Sequence, residues 1–154
     1  MIVPDVNVLI YAFRADQPDH GRYREWLTGA LAADEPVALP GRVLSGFMRI
    51  VTNPRVFATA TPPAEAARYV EALRSAPGAV TPRLADSHVD TFLRLCVEVN
   101  AKGNLVSDAF LAAIAIVRRV ELLMVGCAGR VSGDDLDAGH VSPRYRRSKH
   151  TRGP

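Results

Sequence analysis

The sequence predicts a single α/β domain, three layers of α/β/α around a central parallel sheet, with an irregular C-terminal segment. Three observations lead there. Short apolar stretches of strand character alternate with longer stretches of helical period, which is the pattern of βαβ units. The 154 residues form a chain long enough to bury a core without disulfide staples. Apolar residues make up 48% and charged residues 23%, a globular composition that excludes disorder throughout.

The elements follow in order. Ile2 and Val3 form a short buried strand ending near Asp5, and Val6, Val8, Leu9, Ile10 and Tyr11 open an apolar helix. Gln17-Pro18-Asp19 is a loop with a helix-start signal, after which Tyr23, Trp26, Leu27, Ala30 and Leu31 recur at helical spacing. Val37-Ala38-Leu39 is a second strand, closed by Pro40-Gly41. Val43, Leu44, Phe47, Ile50 and Val51 make the next helical stripe, which stops at Asn53-Pro54 because a residue before proline is pushed out of the helical region. Thr61 lies near the cap position of a helix running from Ala64 to Leu73, with proline just inside, and Pro77-Gly78 ends it. Ala79-Val80-Thr81 is a third strand. Residues 86 to 99 form an amphipathic helix with Val89, Phe92, Leu93, Leu95 and Cys96 on its buried side. After a loop at 101–105, Ser107-Asp108 opens a nearly all-apolar helix to Val117, and Leu122 to Val125 is a buried strand. From Gly126 to His140 the period fails among four glycines and three aspartates, leaving room for at most one edge strand.

Charge and apolar runs exclude several classes. The longest apolar run, Ala109 to Val117, spans nine residues, well short of the ~20 that cross a membrane. Asp5 interrupts the N-terminus too early for a secretory leader, and Cys96 and Cys127 form no CxxC pair, so a reduced, cytoplasmic protein is expected. The net charge is +3, but Arg144, Arg146, Arg147, Lys149 and Arg152 all lie in the tail; without these five the body carries 14 basic against 16 acidic residues. The organisation expected is a core over 1–125 and a divergent basic tail over 126–154, either a solvated end or a holder of phosphate backbone.

Asp5 and Asp108 are the leading candidates for chemistry. A carboxylate closing an apolar strand is costly unless something pairs with it, and hard carboxylate oxygens suit Mg²⁺ or Mn²⁺. In parallel sheets ligands gather at the carboxyl ends of strands, where Asp5 falls, and Asp108 at a helix start would be favoured by the dipole. The competing use of both residues is helix capping. Asn7 either orients a neighbouring carboxylate or water, or forms a local Asx-turn. Arg55, after the helix stop at Thr52-Asn53-Pro54, is a phosphate contact or an ordinary exposed arginine. His20, His88, His140 and His150 lack metal-ligand spacing and are expected on the surface. There is no P-loop, no G-x-G-x-x-G and no nucleophile elbow at Ser107 or Ser132. A phosphatase nucleophile would prefer Asp-x-Asp, and Asn7 breaks that pattern.

Three segments carry a resemblance. Ile2-Val3-Pro4-Asp5-Val6-Asn7-Val8-Leu9-Ile10-Tyr11-Ala12, Val51-Thr52-Asn53-Pro54-Arg55-Val56-Phe57 and Gly103-Asn104-Leu105-Val106-Ser107-Asp108-Ala109 resemble, in order and spacing, the segments of PIN-domain proteins of the VapC type. The resemblance covers residues 1 to about 125. It implies an α/β/α fold and the toxin of a type II toxin–antitoxin pair, a Mg²⁺-dependent endoribonuclease that dimerises and is silenced by a cognate VapB-type antitoxin inserted near the active site. It also implies that Asp5 and Asp108 are the metal-binding acids and that Asn7 supports them. Two departures stand out. Ser45-Gly46-Phe47 occupies the place where many members carry a glutamate, and no acid follows the strand at 122–125 until Asp134, Asp135 and Asp137. The stretch after Val125 looks unrelated to the family, as a shifted reading frame would produce. The departures support an alternative in which the chain binds its antitoxin without cutting RNA.

Overall fold

The computed structural model describes residues 1–17, 19–83, 86–118, 121–123 and 131–132. The chain runs β1 (Ile2–Pro4), α1 (Val6–Phe13), α2 (His20–Ala32), β2 (Val37–Ala38), α3 (Gly41–Val51), α4 (Pro63–Arg74), β3 (Ala79–Val80), α5 (Asp86–Glu98), α6 (Asn104–Arg118), β4 (Glu121–Leu123) and β5 (Val131–Ser132). The strands form one sheet in the order β3-β2-β1-β4-β5. The pairs β1–β2, β1–β4 and β2–β3 are parallel, and β5 joins β4 antiparallel at the edge. Ile2 is in register with both Val37 and Glu121, so β1 is central. The chain steps outward from β1 to β2 and β3, then crosses back to place β4 on the other side of β1. That reversal opens a crevice beyond the carboxyl end of β1, where α/β sheets collect ligands.

Burial explains why these elements form. Ile2, Val3 and Pro4 are all buried, as expected of a central parallel strand covered on both faces. Val8, Leu9, Ile10 and Ala12 carry α1 into the core, joined by Leu27, Leu39, Val43, Phe47, Val51 and Ile114. The rings of Phe13, Phe47 and Tyr69 meet with centroids 4.6 to 5.4 Å apart, locking α1, α3 and α4 together. Packing runs α1 on α2, α1 on α3 and α3 on α4, while α5 lies on α6. Among the described residues no helix is long and apolar enough to cross a membrane.

Gly78 makes the β2–β3 edge possible. Its N–H donates to the Leu31 carbonyl at 2.9 Å and its carbonyl accepts from Val37 N at 2.7 Å, and a Cβ here would sit 2.7 Å from the Leu31 oxygen. Backbone has to move to admit a methyl group. Gly78→Ala is therefore expected to destabilise the fold by about 1–3 kcal/mol, seen as a lower urea midpoint; an unchanged midpoint would contradict the close approach.

Helix α5 turns His88, Phe92, Leu95 and Cys96 toward α6, whereas Val89 and Leu93 stand 53% and 55% exposed. The reason is that α5 packs chiefly on α6, which needs only the narrow stripe i, i+4, i+7, i+8. His88 is thus not a surface residue: it is 2% exposed, its Nε2 lies 3.1 Å from the Phe110 carbonyl, and its ring meets Phe110 edge-on. His20 is half-buried, with Nδ1 2.9 Å from the Tyr11 carbonyl. Thr61 caps nothing, because Pro62 is the N-cap of α4; its hydroxyl instead accepts from Arg14 Nη1 at 3.2 Å. Helix α6 begins at Asn104, after Gly103 turns the chain at φ +56°, so the predicted loop at 101–105 ends earlier and Asp108 sits inside the helix. The helix dipole therefore has little part in placing it. Pro18, Met124, Val125, Cys127, His140, His150, Asp134, Asp135, Asp137 and the five basic tail residues lie outside the described residues.

Candidate active site

The site grows from the end of β1. Pro4 lacks an N–H and closes the strand, and Asp5 turns the chain into α1 as its N-cap. One Asp5 oxygen accepts from Val6 N at 2.6 Å, and the other accepts from Asn7 Nδ2 at 3.1 Å. The two uses open to Asp5, cap and site acid, coexist, because capping consumes one face of the carboxylate. Asp5 is only 6% exposed, and burial raises its pKa against the opposing pull of the N–H donors of Val6 and Asn7. Asn7 is exposed and acts as the orienting amide.

Asp108 reaches the same place from α6. Both acids line one cleft of about 340 Å³, together with Asn7, Arg42, Ser45, Gly46, Arg49 and Ser107. Burial, and then the negative charge of Asp5, push the Asp108 carboxyl up to about 6. Asp5 accepts from two N–H donors and so ionises first; Asp108 feels the result. Among the described residues neither carboxylate has an ion-pair partner. Two mutually repelling, desolvated carboxylates in an open cleft fit a divalent cation, whose charge offsets both penalties. Mg²⁺ is usually held by one or two carboxylates, with water and substrate phosphate completing the shell, so a two-acid site is chemically adequate. No cluster of three or more His, Cys, Asp or Glu occurs among the described residues.

The structure thus brings Asp5, Asn7 and Asp108 together, and it leaves Arg55 out of the cleft. Asn53 Oδ1 accepts from Arg55 N at 2.9 Å, which makes that segment the helix stop its sequence suggests. Sequence reasoning alone misses Arg42 and Arg49. Their signal is present all the same: with Ser45 and Gly46 they fall on one stripe of α3, i, i+3, i+4 and i+7.

The unpaired acids set an expected stability effect. A carboxyl raised in the folded state contributes stability that is full below its ordinary value of 3.8 and is lost as pH rises through about 6. In chelator, the wild-type protein should therefore lose stability between about pH 4 and 7 from this group, and Asp108→Asn should remove that slope. The gain at neutral pH is on the order of 1 kcal/mol, after allowing for solvent screening at a half-exposed group. Thermal denaturation across pH checks it; a variant less stable than wild type at neutral pH would refute the repulsion.

Comparison with known proteins gives a consistent answer. The PIN domain family model matches residues 2–125. "Ribonuclease VapC43" of Mycobacterium tuberculosis is 47% identical over 116 residues, covering 75% of this chain and 79% of the relative. "Ribonuclease VapC31" of the same organism is 40% identical over 116 residues, covering 75% and 82%. Among solved structures, the VapBC2 complex of Rickettsia felis bound to a DNA fragment from its promoter aligns with a TM-score of 0.58 at 19% identity, covering 80% of this chain and 87% of that one. That likeness extends to the fold.

Proposed function

Since the chain belongs to the PIN-domain family and stands among relatives named VapC ribonucleases, we propose that it is a divalent-metal-dependent endoribonuclease, the toxin of a toxin–antitoxin pair. The observation that carries this reading is the convergence of Asp5 and Asp108, without cationic partners among the described residues, on the cleft at the central strand's end. Asp5 and Asp108 would hold Mg²⁺, with Mn²⁺ as the alternative. A bound Mg²⁺ supplies Lewis-acid polarisation of the scissile phosphate and eases deprotonation of an attacking water. Asn7 holds one Asp5 oxygen through its side-chain amide, and Val6 N holds the other, so the acid is fixed before substrate arrives. The reading also assigns a VapB-type antitoxin as partner, RNA as substrate, a homodimer as the working form and the cytoplasm as its place.

Attack by water gives a chemical signature. Hydrolysis that does not use the ribose 2′-hydroxyl leaves no 2′,3′-cyclic phosphate, so end-group analysis of the cleaved RNA should find none. Products ending in a cyclic phosphate would overturn the mechanism.

A second reading has one observation in its favour. Gly46 sits on the cleft wall at the position where many members carry an acid. It would make the chain an antitoxin-binding module that does not cut RNA. Cleavage by the purified chain separates the two.

A further inference from the structure

Helix α3 lines the cleft with Arg42, Ser45, Gly46 and Arg49. The inner two positions are small and the outer two are arginines, separated by two helical turns, about 10 Å along the axis. Gly46 lets this helix approach α1: a Cβ there would lie 2.9 Å from Val6 Cγ2. The cationic stripe is thereby held against the first turn of α1, next to Asp5. Arg42 is already oriented, because its Nη2 donates to Ser107 Oγ at 2.9 Å and its guanidinium lies 5.1 Å from the centre of the Phe110 ring. Ser107 precedes Asp108 in α6, so that bond fixes the arginine beside the second acid. Yet among the described residues neither arginine forms an ion pair with a carboxylate. Each guanidinium has five N–H donors in a fork that matches phosphate oxygens, and Arg42 uses one of them in its bond to Ser107.

We propose that Arg42 and Arg49 bind backbone phosphates of single-stranded RNA on the two sides of the bond that Asp5 and Asp108 address, the strand crossing α3 over Ser45 and Gly46. The assignment rests on the nuclease reading and adds its substrate-binding residues. Phosphate contacts of this kind set position and affinity and carry no base preference. Gly46 keeps α3 close to α1, Ser45 puts only a small side chain on the cleft wall, and the arginines at either end hold the strand between them.

The test is binding of a short fluorescein-labelled single-stranded RNA of mixed sequence, followed by anisotropy across a series of KCl concentrations. The protein is the full chain carrying Asp5→Asn, so that the probe survives. Arg42→Ala and Arg49→Ala should each weaken binding by about tenfold and flatten the plot of log affinity against log salt by about 0.7. The Arg→Lys variants should keep the slope, because they keep the charge, and Arg49→Glu should bind more weakly than Arg49→Ala. Unchanged affinity and slope in the alanine variants would overturn the proposal, as would failure of the Asp5→Asn chain to bind the probe. Cleavage by the otherwise wild-type chain separates this from the nuclease reading: RNA cut normally with an unaltered slope sinks the arginines alone. A normal slope effect with no metal-dependent cleavage sinks the nuclease.

Discussion

Asp5→Asn should reduce RNA cleavage by about 10²–10³-fold or more, the scale of losing one essential electrostatic group, while leaving the protein folded. Asparagine is nearly as good an N-cap as aspartate, and its side-chain oxygen can still accept from Val6 N. The helix start survives and the negative charge does not. Asp5 is 6% exposed, and burial already disfavours its charged form, so the neutral amide should cost the fold little. Asp5→Ala separates the two roles further: it loses cleavage and also about 1 kcal/mol of stability with the cap. Cleavage assays with circular dichroism on the same preparations check this. A folded Asp5→Asn protein that still cuts at wild-type rate would remove Asp5 from the chemistry.

The second large effect is on stability. Phe47→Ala should destabilise the chain by about 3–5 kcal/mol, because it empties the centre of the ring cluster. Phe47 is 0% exposed, edge-on to Phe13 and tilted against Tyr69, each at 5.4 Å. Tyr69 is buried deeply enough that its hydroxyl is pushed up to about 12. Against the 5–15 kcal/mol typical of a domain, the loss is large, and Tm should fall by roughly 6–20 °C. Phe47→Leu should cost markedly less, because it refills most of the volume. Since α3 also carries Arg42 and Arg49, Phe47→Ala should weaken the cleft as it loosens the helix. A loss under about 1 kcal/mol would mean that the cluster collapses around the gap.

The parallel sheet is legible in the sequence because it rests on local, strongly patterned signals, whereas the pairing of Asp5 with Asp108, far apart in the chain, is suggested by the resemblance of their segments to PIN-domain proteins. An apolar strand closed by an acid and a helix stop at Asn53-Pro54 are written within a few residues. What the sequence hides depends on partners. The buried side of α5 follows from its main packing partner α6, which no stripe of its own residues reveals; periodicity alone therefore puts Val89 and Leu93 inside and His88 outside. The start of α6 is set by the turn at Gly103, which precedes the apolar run that makes Ser107 look like the opening residue. Thr61 is drawn away from capping by Arg14, forty-seven positions earlier. Arg42 and Arg49 are invisible as a pair because an arginine counts as a solvated charge until the helix face that carries it is seen to line a cleft.

The most direct measurement is cleavage of total RNA by the purified, antitoxin-free chain in Mg²⁺, with a parallel reaction in excess chelator. Cleavage should disappear in chelator and return on adding Mg²⁺ or Mn²⁺. No cleavage from a folded preparation in Mg²⁺, or cleavage that chelator leaves untouched, would contradict it.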